Sequence, residues 1–290
     1  MDEDLSKKNS GEFNGSVNGS SRRISNGSAQ FSEPESEEGY KLQFETLEEE
    51  RLVKLMRASV VKLEPELKDV EDATLRRFLR ARQRRVDKAT KMFLDHHRWR
   101  RTFVPLGYIT EEEVKNELDA KKVYLQGKCK LGFPVGLVLA AKHDAYKRDL
   151  NEFKRYCVYN FDKCVASLGP GQEKFTILVD LQGIGYKNLD PRGWTCIFDF
   201  LQGHYPERLK RIFILHVPYI FWGAWKLVCP FIDKVTRDKI VFVSDKALLE
   251  TLLEEIELEE LPTIYGGKKE LVPIQDAITP NWPPKTQEVH

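Results

Sequence analysis

The longest apolar stretch of the chain, IFILHVPYIFWGAWKLVCPFI at residues 212–232, is interrupted only by His216 and Lys226. The chemistry open to such a run is desolvation. It can offer an apolar ligand a water-free surface, a gain of about 0.8 kcal/mol for each buried CH2. Its length would nominally cross a bilayer, but Pro218 and Pro230 argue against one continuous helix. Pro218 separates a strand-like segment, residues 212–215, from an aromatic one. As a helix, residues 219–229 would place Phe221, Trp222, Trp225, Val228 and Cys229 on one broad face. We read a buried strand feeding a mobile apolar helix; an ordinary core helix would show the same pattern.

Covalent chemistry finds little support. Cys129, Cys157, Cys164, Cys196 and Cys229 occur singly, which suits a reducing cytosol better than a disulfide framework or a zinc site. His96 and His97 are adjacent, so they do not share a helix face as metal ligands. His143, His204 and His216 stand alone, the usual situation of core or surface histidines. There is no phosphate-binding glycine loop before a Lys, no nucleophile elbow and no metalloprotease helix. Gly183-Ile184-Gly185 reads as a strand-to-loop turn. No catalytic residue, metal or cofactor is expected. With 46 basic and 45 acidic residues the net charge is +1, so nothing global favours nucleic acid.

The elements that must position the apolar run fall into four stretches. Residues 1–41 hold a Ser/Asn/Gly-rich tail expected to be disordered. Within it Ser25, after two arginines, and Ser32 and Ser36, among glutamates, are candidate phosphorylation sites. The acidic start shows no secretory pattern, and the ending QEVH shows no lipidation or retention pattern. Residues 42–104 read as a small helical bundle: a stripe of Leu52, Val53, Leu55, Met56, Val60 and Leu63 stopped by Pro65, then helices capped by Asp72 and Asp87. This bundle is basic, and Arg76, Arg77, Arg80, Arg84 and Arg85 form a candidate membrane-surface patch. From residue 105 to 270 short apolar runs (135–139, 175–179, 212–215, 240–243) alternate with helical stretches. That is the pattern of an α/β domain, a mostly parallel sheet covered by helices. Residues 271–290 read as an extended tail.

Several strings then resemble a known family. DATLRRFLRAR looks like the N-terminal helical module of the CRAL-TRIO proteins. HYPERLKRIFILHVPYIFWGAWKLVCPFI, DKVTRDKIVFV and LPTIYGGKKE look like their lipid-binding domain and its ending, and FTILVDLQGIG fits between. In this order they cover roughly residues 45–270, and the nearest branch is the Sec-fourteen-like phosphatidylinositol transfer proteins. The resemblance implies an apolar pocket closed by a gate helix, and headgroup contacts at Arg82, Glu207, Thr236 and Lys239. Cationic donors suit a phosphodiester. Alternatively Glu207 and Lys239 pair with each other and Arg82 faces solvent. Where choline-binding members carry hydroxyl residues, this chain has Phe175, Ile177 and Gly136, which puts phosphatidylcholine in doubt.

The expected function is therefore non-catalytic phospholipid binding and transfer by a cytoplasmic, peripherally membrane-associated monomer. Phosphatidylinositol or a phosphoinositide is the ligand, and lipid kinases are partners implied by the resemblance. Two alternatives stay open: a phosphoinositide sensor or adaptor with little exchange, and a carrier of another hydrophobic small molecule.

Overall fold

A computed structural model describes residues 37–284. Ser25, Ser32 and Ser36 lie outside the described residues. Helix α1 spans Glu37–Leu63, so it takes in residues that composition assigns to the tail. The Glu-, Lys- and Leu-rich sequence there consists mainly of strong helix formers. It is followed by α2 (Asp72–Ala81) and α3 (Val86–Phe103). Val53, Met56 and Val60 of α1 pack with Leu75, Phe78 and Phe93, whereas Leu55 and Leu63 are exposed, so the buried stripe is narrower than the sequence pattern. Asp72 and Asp87 do not cap. Each lies inside the first turn of its helix, where a carboxylate complements the positive end of the helix dipole. The Asp72 carboxylate instead receives Arg57 at 2.6 Å.

The α/β part contains α4 (Lys115–Asp119), β1 (Val123–Lys128), β2 (Pro134–Leu139), α5 (Leu150–Ala166), β3 (Phe175–Asp180) and α6 (Pro191–Gly203). It continues with β4 (Leu209–Leu215), α7 (Phe221–Val228), α8 (Lys234–Arg237), β5 (Ile240–Phe242) and α9 (Leu248–Glu255). The strands stand in the order β1-β2-β3-β4-β5. β1 runs antiparallel to β2, and the remaining pairs are parallel. Parallel strands added in sequence, each by a crossover of the same hand, place their connecting helices on one face of the sheet. Here α5, α6 and α7 pack on the face that presents Phe175, Ile177, Ile212 and Ile214. The alternate residues Leu137, Leu178, Phe213 and Leu215 point to the other face, where Leu248, Leu252 and Ile256 cover them.

β1 has no counterpart in the apolar runs read from sequence, because it is a short edge strand broken by Gly127 at φ +55°. The described part of the C-terminal stretch, residues 271–284, contains turns and is docked on the α/β part. The Leu125 N–H donates to the Val272 carbonyl and the Ile274 N–H to that of Val123, so this segment runs along β1. Trp282 then meets Tyr159 edge-on at 5.4 Å.

Candidate binding site

Between the sheet and its helical layer lies a cavity of about 200 Å3. Gly136, Ile177 and Ile212 form its floor, Phe153 and Asn160 of α5 and Trp194 and Phe198 of α6 its walls, and Phe221 and Trp225 of α7 its cover. Gly136 and Ile177 are register partners on β2 and β3, and Phe175 stacks on Phe161 in the adjoining core. The positions expected to contact choline thus form an apolar surface. Ligand pockets usually measure roughly 300–1,000 Å3, so a two-chain phospholipid enters only if the cover moves.

The cover is a short element. α7 has eight residues between Pro218 and Pro230, and the chain turns into it through His216 at φ 51°. Its attachments are ring contacts: Phe221 to Trp194 at 5.5 Å, Trp225 to Phe198 at 6.3 Å, and Trp222 to Phe242 at 4.9 Å. Phe221, Ala224 and Val228 are buried and Trp225 is half-buried, a repeat of three and four residues. Trp222 departs from the sequence expectation. It is 39% exposed and lies on the outer side, with Leu227 at 64% and, just before the helix, Tyr219 at 92%. The apolar face drawn from sequence was too wide because one turn of an aromatic helix reads as apolar all round.

At one end of the cavity a buried charged chain closes the wall, and no sequence signal pointed to it. Lys122 pairs with Glu117 and lies 2.9 Å from His143 Nδ1, while His143 Nε2 is 3.1 Å from Asp190. Asp190 also receives Arg148 and the Gly193 N–H. Burial raises the pKa of the Asp190 carboxyl, but the hydrogen bonds from Arg148, His143 and Gly193 outweigh it and hold the group well below the usual carboxylate range. The network is satisfied within itself and braces the loop that joins α6 to the sheet.

The four residues implied as headgroup contacts do not line the cavity. Glu207, Thr236 and Lys239 belong to the end of the sheet where β4 and β5 begin, and Arg82 to the end of α2. Glu207 precedes β4 and holds a left-handed backbone at φ 58°. Lys239 leads into β5, and its carbonyl accepts the Ile212 N–H at 2.9 Å. Thr236 is buried in α8, and the Lys239 N–H donates to its carbonyl at 3.1 Å. Arg82 follows α2 at a helix stop in which the Arg84 N–H reaches the Leu79 carbonyl and the Gln83 N–H that of Arg80. Its guanidinium donates to the Ala81 carbonyl at 2.9 Å. The Glu207–Lys239 ion pair allowed by the sequence is not formed among the described residues. Glu207 instead lies within electrostatic reach of Arg80.

Much of the basic patch is engaged elsewhere. Arg76 pairs with Glu49 at 3.2 Å, Arg77 with Glu173 at 3.2 Å, and Arg80 with both acids. Arg77 is buried. Arg77 alone leaves the surface; Arg76 is half-buried, and Arg80, Arg84 and Arg85 are exposed. A larger cleft of about 910 Å3 beside them is walled by Arg76, Arg77, Arg100 and Arg208 together with Asp162 and Glu173, a polar lining unsuited to acyl chains.

The helical module is held on the α/β part by a buried joint. Arg100 grips Asp162 at 2.8 and 2.9 Å, and the Tyr205 hydroxyl donates to the same carboxylate at 2.7 Å. Trp99 stacks on His204 at 3.7 Å, and His204 Nδ1 lies 3.4 Å from His96 Nδ1. Burial, then the neighbouring His204, pushes His96 down to about 3; burial, then Arg100, pushes His204 down to about 4. Both rings are neutral when folded and bind protons when unfolded below their ordinary value of 6.5. Their contribution to stability is complete above that pH and declines as pH falls toward 3 to 4. His96 alone gives a slope of up to about 1.4 kcal/mol per pH unit, and the less buried His204 adds a smaller one. Urea titrations at pH 7.5 and 5.5 should show this loss, and His96→Gln should reduce it. An equal acid loss in the variant would assign the effect to other groups.

Comparison with known proteins agrees with this architecture. The CRAL/TRIO domain profile matches residues 118–267, and the CRAL/TRIO N-terminal domain profile matches residues 29–95. The first match covers just over half of the chain, which belongs to the CRAL/TRIO family. A phosphatidylinositol transfer protein, CSR1, of Eremothecium gossypii is 30% identical over 213 residues, 70% of this chain and 48% of that protein. The SEC14 cytosolic factor of Candida glabrata is 29% identical over 70% of this chain and 72% of its own length. The phosphatidylinositol/phosphatidylcholine transfer protein SFH7 of Arabidopsis thaliana is 31% identical, over 66% of this chain and 38% of its own. This chain therefore spans less than half the length of two of these three relatives. The crystal structure of Sfh5 shares the fold, with a TM-score of 0.60 at 19% identity, covering 80% of this chain and 91% of that one.

Proposed function

We propose that this protein takes one phospholipid molecule at a time from a membrane, phosphatidylinositol among its ligands, and releases it at another without covalent chemistry. The observation that carries the reading is an apolar cavity covered by a short, proline-bounded aromatic helix. Acyl chains leave a bilayer readily only when an equally apolar surface receives them, so the exchange is close to neutral and the protein lowers its barrier. α7 swings out at the membrane, the chains enter, and Phe221 and Trp225 close over them.

Membrane contact falls on the outward residues. Tyr219, Trp222, Leu227, Phe231 and Val235 are exposed, with Lys226 and Arg237 among them. Aromatic and apolar side chains edged by cations suit the interface of an anionic bilayer. No helix among the described residues is long and apolar enough to cross a membrane. The headgroup lies at the start of the parallel strands, where Lys239, Arg82 and Thr236 supply donors and Glu207 accepts from ring hydroxyls. The relatives' names support this choice of ligand. A choline headgroup finds no hydroxyl at Gly136 or Ile177, so phosphatidylcholine exchange is slow. Burial of Arg77 and the pairing of Arg76 and Arg80 with Glu49 and Glu173 weaken the case for a sensor that works by the basic patch.

The test is transfer of pyrene-labelled phosphatidylinositol and phosphatidylcholine between vesicles. Catalysed transfer of the inositol lipid, well above that of the choline lipid, is expected. No catalysed transfer of either would refute the reading.

A further inference from the structure

The polar cleft beside the helical module holds more cationic donors than its carboxylates can serve. Arg76, Arg77 and Arg80 of α2, Arg100 of α3 and Arg208 at the entry to β4 line it, against Glu71, Asp162 and Glu173. Arg100 and Asp162 satisfy each other at 2.8 and 2.9 Å. Arg76, Arg77 and Arg80 share Glu173 and Glu49, of which Glu49 is outside the lining. Arg208 has no carboxylate partner among the described residues. Its guanidinium donates to the Glu173 carbonyl at 3.0 Å, and the remaining N–H groups of its five are left without a protein acceptor. Burial, then the neighbouring Arg77 charge, pushes Arg208 down to about 10. A half-buried guanidinium pressed by a like charge is stabilised by an anion that comes to it.

We propose that this cleft is a second binding site, separate from the apolar cavity, which takes a phosphomonoester carried on a hydroxylated body, with Arg208 as the principal phosphate donor. The planar fork of a guanidinium matches phosphate oxygens in pairs. The rest of the lining suits the body of such a ligand. Glu71 forms no ion pair and accepts from hydroxyls, and the half-buried Trp282 adds apolar area of a size to cover one sugar ring. At about 910 Å3 the cleft has room for that ring beside the phosphate. None of Arg82, Glu207, Thr236 and Lys239 lines it, so the site is distinct from the one assigned to the inositol headgroup. The phosphomonoester has two possible sources, a soluble sugar phosphate or the headgroup of a membrane lipid.

The test is calorimetric titration of the full chain with glucose 6-phosphate, and with glucose as the uncharged control. Wild type is expected to bind the sugar phosphate saturably and to ignore glucose. Arg208→Gln keeps a donor for the Glu173 carbonyl but removes the charge, and should weaken binding about tenfold or more. Arg80→Gln, an exposed position on the same lining, should weaken it too and serves if the melting temperature shows Arg208→Gln to be poorly folded. Arg84→Gln removes an equal charge outside the cleft and should bind as wild type does. Glu71→Gln takes a negative charge out of the lining and should tighten binding. Phosphatidylcholine vesicles doped with phosphatidic acid, added as competitor, then identify the source. Displacement of the sugar phosphate marks a lipid headgroup and undisturbed binding a soluble ligand, and either supports the site. No binding of the sugar phosphate by wild type, or equal losses in Arg208→Gln and Arg84→Gln, overturns it.

Discussion

Trp225→Asp is expected to bring phosphatidylinositol transfer down to the spontaneous rate while the protein still binds vesicles. The Trp225 ring is part of the cavity cover and meets Phe198, Phe221 and Phe242 within 6.3 Å. A carboxylate there must lose its hydration whenever α7 closes over acyl chains, a penalty of several kcal/mol. At about 1.4 kcal/mol for each factor of ten, that is a loss of roughly a hundredfold or more in the loaded, closed state. Trp225 is half-buried and takes no part in the α9 side of the core, so folding should persist, which a melting temperature checks. Trp222→Asp separates docking from holding. Its ring is on the outer side against Phe242, so the substitution should weaken vesicle cosedimentation while leaving a lipid already bound in place. Transfer and cosedimentation measured on both variants check the division. If Trp225→Asp transfers lipid at the wild-type rate, α7 does not close over the ligand.

The second large effect is expected from Lys239→Ala. Among the described residues no carboxylate pairs with the Lys239 ammonium, and its structural role runs through its backbone, between α8 and β4. Removing the side chain should therefore leave the melting temperature nearly unchanged. A hydrogen bond from a charged donor to a phosphodiester contributes about 1.5–3 kcal/mol. Retention of phosphatidylinositol should accordingly drop roughly ten- to a hundredfold. Lipid bound per chain, measured after incubation with inositol-lipid vesicles, checks this. Undiminished retention would move the headgroup away from the strand edge.

The sequence made the layer architecture legible wherever burial on both faces of a strand produces a continuous apolar run. That is why β2, β3, β4 and β5 were found within a few residues of their ends and β1 was not. β1 is an edge strand with a broken pattern, and it takes its second neighbour from residues 272–274, far along the chain. The aromatic helix was legible from its two prolines, but its orientation was not. Trp222 and Trp225 are both apolar in sequence, and only packing against Phe198 and Phe242 decides which of them faces inward. Charge was the least legible feature. Arg76, Arg77 and Arg80 look like a free basic surface, yet each is paired with Glu49 or with Glu173, almost a hundred residues away. The buried chain from Glu117 to Arg148 was missed for the same reason. Its members sit on separate elements with no shared spacing.

The most direct test is lipid mass spectrometry of the protein recovered from vesicles containing both phosphatidylinositol and phosphatidylcholine, with Trp225→Asp alongside. Wild type should carry close to one phosphatidylinositol per chain and little phosphatidylcholine, and the variant should carry neither. Wild type free of lipid, or a variant loaded to the same extent, would contradict a cavity closed by α7 as the place where the lipid is held.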